Sequence, residues 1–296
     1  MKRISLILCL MLLPFAAGCA QNHFNLPKEE MVERVKVLGV APIIVDADSD
    51  IRFPQKEELL TLLAANNRVH ERHLVRLLKN TDSFYAVTMI DDDPKALFAN
   101  LLQRRERRDD AAIQYNKYFW KEEALQAYLR KNSLDALLLV VISGITRPEK
   151  IYAATMLDSL ESSYNYLIMT AQIVDSRGVI LWEYPNFRRK VLSFNPLLNL
   201  QYPDFEEAKA NLSGTIQVKF KTMDGVRRAL DKRRVDLLRR ETGDADLYLS
   251  QFEEMVSLIS LDRTTRPAAP PAPAPAVAPP PAQPGAPAAP LKEPGR

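Results

Sequence analysis

His70 and His73 bracket Glu71 and Arg72 in the run His-Glu-Arg-His. Two imidazoles three positions apart on a helix can share one metal ion, with a carboxylate at hand beside them. The run falls one residue short of the H-E-x-x-H zinc motif, because Leu74 follows His73, and no third ligand can be named from the sequence. A solvated polar helix face accounts for the same residues. Asp46, Asp48, Asp50 and Glu57 make a second constellation, at positions 1, 3, 5 and 12 of an EF-hand-like loop, where hard oxygen ligands would wrap Ca²⁺. Ile51 stands where the sharp turn of such a loop wants glycine, and Pro54 occupies the ninth position. An acidic loop that caps the following helix is the simpler expectation, and no metal is expected. Basic runs at 104–110 and 227–240 are laced with acids and read as ion-paired, solvated helix faces, with lipid phosphate or an anionic polymer as the other reading. Glycine-rich phosphate loops, G-x-S-x-G elbows and dinucleotide fingerprints do not occur in the sequence.

One further reactive residue is Cys19. Lys2 and Arg3 form a positive leader, Ile4 to Leu13 an apolar stretch, and Ala16, Ala17 and Gly18 supply small side chains directly before the cysteine. The apolar stretch is too short for a permanent membrane span. The arrangement resembles the lipobox of bacterial lipoproteins. That resemblance implies a signal peptide over 1–18 and a lipid-modified N-terminus at Cys19, the only cofactor-like group expected. Ala20, where an aspartate would signal inner-membrane retention, implies the outer membrane, with the chain on its periplasmic face. Cys9 leaves with the signal, so the folded part has no thiol for disulfides or cysteine-metal sites. The formal charge of +3 also comes largely from the two termini. The near-neutral remainder speaks against a nucleic-acid partner, whose affinity would rest on phosphate neutralisation.

From Arg266 the chain turns to proline and alanine. Such a composition offers no core and favours extended polyproline II, a spacer able to reach toward the cell wall or an inert terminus. Between these ends, residues 34–45 are apolar and β-branched and predict a buried strand. Leu59, Leu62, Leu63, Leu74, Leu77 and Leu78 recur at helical spacing, with a possible break at Asn66 and Asn67. Asp93 and Pro94 predict a helix start, and that helix is expected to run into Arg104–Arg108. A further helix is expected over Trp120 to Lys131, then a strand over Asp135 to Thr146. Two more strands follow, joined by the turn formers Asp175, Ser176 and Gly178. Along Tyr164 to Ile173 one set of alternate residues is apolar and the other mixed, as in an antiparallel hairpin.

The order of these runs, with "VLGVAPI", "YLRKNSLDALLLVVISG" and "TAQIVDSRGVILWE" as its fixed points, resembles the anticodon-binding-like periplasmic domains. That set includes the N-terminal domain of TolB, the curli-export lipoprotein CsgG and the Pel-polysaccharide lipoprotein PelC. The match covers about Val35 to Glu183. It departs from the pattern at an insertion, Arg147 to Tyr164, and beyond Arg188. It implies an α/β (α+β) fold, a mixed sheet with helices packed on one side, in the order strand-helix-strand-helix-strand-strand-strand. The expected domains are a signal over 1–18, a lipidated tether over 19–34, the α/β domain over 35–190, a strand and helical extension over 191–262, and a disordered tail over 263–296. The function expected is a non-enzymatic component of an export or envelope-assembly apparatus, with envelope proteins or further copies of the chain as partners. A membrane-anchored hydrolase of cell-wall polymer and a calcium-binding envelope module are the alternatives. Trp182, Tyr184 and Phe187 beside Arg188 and Arg189 are the expected contact surface, or else the aromatic residues cover the sheet.

Overall fold

The computed structural model describes residues 23–108, 115–152, 159–188, 192, 194–202, 219–235 and 241–259. Cys19, Arg189, the signal at 1–18 and the tail at 263–296 lie outside them. In chain order the elements are α1 (Lys28–Arg34), β1 (Val37–Val40), β2 (Ile44–Val45), α2 (Lys56–Lys79), β3 (Ala86–Met89), α3 (Pro94–Leu101), β4 (Leu102–Arg108), β5 (Tyr115–Trp120) and α4 (Glu122–Lys131). Then follow β6 (Ala136–Tyr152), β7 (Ser159–Asp175), β8 (Ile180–Tyr184), β9 (Pro196–Asn199), α5 (Met223–Asp231), β10 (Arg233–Val235), β11 (Glu241–Ala245) and α6 (Asp246–Ile259).

Seven strands form one mixed sheet in the order β3-β1-β6-β7-β8, with β2 added to β6 and β9 to β7. The contacts of β1 and β2 are parallel, and those of β7 are antiparallel. The mixed α+β class is the one the sequence predicts. Period-two alternation along β6 sorts its side chains between two cores: Ala136, Leu138, Val140 and Ile142 enter one, Leu137, Leu139 and Val141 the other. Leucines of α2 and apolar residues of α5 and α6 fill the first core, while α3, α4 and the aromatic residues of β5 fill the second. Helices thus cover both faces of the sheet, and the expected one-sided layer is half of the arrangement.

Local signals read from the sequence hold where the backbone decides the matter. The Asp93 carboxylate accepts the Ala96 amide at 2.7 Å, and Pro94 opens α3. Between β7 and β8, Asp175 Oδ1 accepts the amides of Arg177 and Val179 at 2.9 and 3.0 Å, and Gly178 takes a φ of 72°. Tertiary contacts decide elsewhere. α2 runs unbroken for 24 residues because Asn67 is buried and bonded on both sides: its Oδ1 accepts the Tyr248 hydroxyl at 2.7 Å, and its amide donates to the Ile43 carbonyl. The helix expected to continue from Pro94 through Arg108 ends at Leu101 and gives way to β4, which pairs antiparallel with β5. Trp120 accordingly ends a strand and does not begin a helix. The expected insertion at 147–164 continues the hairpin, so β6 and β7 are each 17 residues long and pair from Ala136↔Asp175 to Tyr152↔Ser159. The expected tether over 19–34 is also folded from His23 onward. Phe24 bridges Trp182, Asn25 donates its amide to Leu181, and His23 accepts that of Glu183.

Glu71, central to the His-Glu-Arg-His run, turns inward. Its Oε1 accepts the Ile43 amide at 2.9 Å, while Arg68 stands 3.6 Å from the other oxygen. Burial raises the Glu71 carboxyl above its ordinary value, against the opposing pull of the Ile43 amide and Arg68. The folded state therefore holds this proton more tightly than the unfolded chain, and the contribution of Glu71 to stability falls as pH rises above its unfolded value near 4.5. Glu71→Gln keeps an acceptor for Ile43 and removes the titration. Urea unfolding should show the variant gaining on the wild type from about pH 4 to about pH 7, whereas a pH-independent difference would contradict the assignment.

Candidate functional site

The turn that follows β2 carries Asp46 into the second core, where it is 1% exposed. Both carboxylate oxygens accept Arg105 of β4, at 2.5 and 2.7 Å, and Oδ2 also accepts the Tyr118 hydroxyl of β5 at 2.8 Å. Burial, then the neighbouring Asp46 charge, lifts the Tyr118 phenol well above its usual range. Burial lowers the Arg105 guanidinium, but its bonds to Asp46 and the nearby negative charges outweigh this and the net shift is upward. Phenol and guanidinium both keep their protons, so the cluster is a fixed clamp between turn and hairpin.

The same turn is bound to the long β6–β7 hairpin. Ser49 Oγ donates to the Asp46 carbonyl at 2.5 Å and accepts the Gly144 amide at 2.9 Å, which makes this hydroxyl a turn fastener. Asn165 is buried, donates to the carbonyls of Asp50 and Ile145 and to the Thr146 hydroxyl, and accepts the Arg52 amide at 2.9 Å. One side chain thus joins the loop to β6 and β7. A cleft of about 490 Å³ opens between this loop and β4, lined by Asp48, Ser49, Asp50, Arg52, Arg105, Arg107, Asn116, Gly144 and Ile145. Arg52 pairs with Asp50 at 2.6 Å. Guanidinium donors, carboxylate acceptors and an amide equip the cleft to hydrogen-bond a polar ligand.

On the other side of β5, the hairpin meets β8. Lys117 Nζ lies 2.9 Å from the fully buried Glu183 carboxylate and 5.3 Å from the centre of the Phe187 ring. Beneath the hairpin, Gln172 of β7 accepts the Trp120 indole N–H at 2.8 Å and donates to the Tyr118 carbonyl at 3.3 Å. β5 therefore meets the sheet through the Tyr118 carbonyl and the Trp120 indole, with the Tyr118 side chain bonded to Asp46 and that of Lys117 to Glu183.

Several expectations are corrected by this geometry. Asp46 is consumed by Arg105 and Tyr118, so the calcium-loop reading of Asp46, Asp48, Asp50 and Glu57 loses its first ligand. Glu57 belongs to the first turn of α2, while Asp48 and Asp50 line the cleft. His70 stacks on Tyr248 at 4.5 Å, and among the described residues no group of three or more His, Cys, Asp or Glu is placed to hold a metal. Trp182, Tyr184 and Phe187 are at most 6% exposed, so they form core and cannot be the expected contact surface. Arg188 is exposed and bonds back to the Phe24 carbonyl. The sequence reading missed the clamp. Its available signal was Tyr115, Tyr118, Phe119 and Trp120, an aromatic-rich segment of the kind that favours strands.

The fold and the site define a mixed α/β domain with a hairpin clamped across one face of its sheet. No protein-family model matches the sequence, and no curated protein matches it either. Among solved structures, a PelC dodecamer from Paraburkholderia phytofirmans is similar over 51% of this chain and 68% of that one, at 10% identity and a TM-score of 0.23. A single-substitution variant of that dodecamer in a second crystal form gives the same values. At this identity and score, the likeness says nothing of the site.

Gly144 gives the clamp a direct test. A Cβ there would stand 2.4 Å from the Asp50 carbonyl oxygen and 2.5 Å from the Ile51 nitrogen, both backbone atoms that cannot rotate away. Gly144→Ala should destabilise the protein by about 2 kcal/mol in denaturant unfolding, the cost of overpacking a tight contact. A loss within about 0.5 kcal/mol would mean that the loop does not press on β6.

Proposed function

We propose that this chain is a non-enzymatic outer-membrane lipoprotein, held by a lipid on Cys19 and acting as a periplasmic component of an export or envelope-assembly apparatus. The observation that carries the reading is the spacing between Cys19 and His23, the first described residue. Ala16, Ala17, Gly18 and Cys19 end the leader, and His23 already lies buried against β8, with its Nδ1 3.0 Å from the Glu183 carbonyl. Only Ala20, Gln21 and Asn22 intervene, so a lipid on Cys19 would place the folded domain directly at the membrane. Three acyl chains, at ~0.8 kcal/mol for each buried methylene, make such an attachment effectively permanent.

A binding role fits the site better than a hydrolytic one. The carboxylate of Asp46 is neutralised by Arg105, Ser49 is spent on the turn, and Asp50 is paired with Arg52. Envelope proteins or further copies of this chain are the partners this reading implies, with the proline-rich tail able to reach the cell wall. The distal half of the β6–β7 hairpin does not fit a membrane-crossing role. Arg147 and Glu149 occupy one face and Lys150 the other, where a barrel strand needs one continuous apolar face.

Replacement of the anchor decides the matter. In envelope fractionation, Cys19→Ser should move the protein from the outer-membrane fraction to the soluble periplasmic fraction. Retention of the variant on membranes after a high-salt wash would refute the anchor.

A further inference from the structure

β4 holds further basic residues besides the Arg105 that serves the clamp. β4 carries Arg104, Arg105, Arg107 and Arg108, with Glu106 the only acid among them, and its interior positions are all exposed. Among the described residues it pairs with β5 alone, which leaves its outer edge without a strand. Arg105 is held by Asp46, and Arg104 lies 4.0 Å above the Phe119 ring, pairs with Glu106 at 2.6 Å, and keeps its side chain 51% exposed. A strand of this composition is a poor edge for pairing with another strand, since arginines repel a like copy. It suits a surface of negative charge.

Its position supplies the occupant. Arg108 donates to the Phe187 carbonyl, and Arg188, the next residue, donates to the Phe24 carbonyl. Two successive hydrogen bonds thus link the far end of β4 to the segment that emerges from Cys19. Four residue steps separate Cys19 from His23, a reach of at most about 14 Å. Whatever surface holds Cys19 must lie within that distance of His23, whose neighbour Phe24 accepts the Arg188 bond. We propose that the β4 edge, together with Arg188, is the face this domain lays on anionic phospholipid headgroups of the membrane that carries its anchor. The inference rests on the lipid anchor proposed above and adds an orientation: the hairpin faces the bilayer, and α2, α5 and α6, on the opposite face of the sheet, face the periplasm. Arginine suits this contact because its planar fork binds phosphate oxygens in pairs while its stem stays packed.

The test uses the mature chain bearing Cys19→Ser, so that no lipid contributes, and vesicles either rich in phosphatidylglycerol or made of phosphatidylcholine alone. The chain should co-sediment with the anionic vesicles, weakly with the neutral ones, and less as salt rises. Arg104→Gln with Arg107→Gln should lower anionic partitioning by more than about ten-fold, since each basic residue near a charged bilayer contributes roughly five-fold. Arg227→Gln with Arg228→Gln, an equal loss of charge on exposed positions of α5, should leave partitioning within about two-fold of the parent. Both double variants should melt with the parent, which separates lost binding from lost folding. Equal losses in the two variants would reduce the effect to net charge, and absence of binding to anionic vesicles would overturn the proposal. Capture of a soluble anionic polysaccharide in preference to vesicles, sensitive to the same β4 pair, would overturn it in favour of a polymer groove. Each of these outcomes is independent of the fractionation result, which reads the anchor alone.

Discussion

A carboxylate with 1% of its surface exposed has to be neutralised or its burial is strongly unfavourable, and the arrangement around Asp46 follows from that requirement. The compensating charge comes from Arg105 and a further donor from Tyr118, which lie on opposite strands of one hairpin. Satisfying Asp46 therefore fixes both strands at once. The hairpin that results stands across β7 on the bonds of Gln172, buries Trp120 and Tyr118 in the second core, and forms one wall of the cleft. Its other flank places Lys117 over Glu183 and leads to Phe187 and Arg188, beside the N-terminal segment. The hairpin, and with it the cleft wall and the basic strand, is thus held at two buried carboxylates, Asp46 and Glu183.

The parts legible in the sequence are those whose pattern is set by their neighbours in the chain. β6 announces itself because a strand covered on both faces needs apolar residues at every position, as Leu137 to Ile142 supply. The start of α3 and the turn after Asp175 are likewise written in residues that bond within four positions of themselves. β4 is the contrary case. Arginine and glutamate are good helix formers, and Arg105 with Asp109 and Arg107 with Asp110 stand at helical ion-pair spacing, so local preference points to helix. Strand geometry wins because Arg105 has to meet an aspartate 59 positions away in the chain, and no local rule contains that partner. The same holds for Asn67, whose helix-breaking tendency is outweighed by buried bonds to Tyr248 and Ile43. In the site, the acidic loop was visible as a cluster of oxygen ligands. Its purpose in the fold was hidden, since the guanidinium that meets Asp46 comes from another element.

The N-terminal segment at 23–25 and the β6–β7 hairpin both extend the sheet. In the first, His23, Phe24 and Asn25 close the open edge of β8 by backbone bonds, so that edge is unavailable for pairing and the chain leaves the fold beside Arg188. In the second, β6 and β7 continue as a two-stranded ribbon past Asn165, where the loop contacts stop.

The dependence of all this on the buried ion pair can be measured by a double-mutant cycle over Asp46 and Arg105, read as unfolding free energies at neutral pH. Asp46→Asn removes one charge with its shape kept, and Arg105→Gln removes the other while leaving a shorter polar side chain. The account predicts a coupling energy of about 1.5 kcal/mol or more, because the double variant no longer leaves a charge without its partner. Additive single effects, within about 0.5 kcal/mol, would contradict it and would mean that the hairpin is held on the sheet by its aromatic contacts alone.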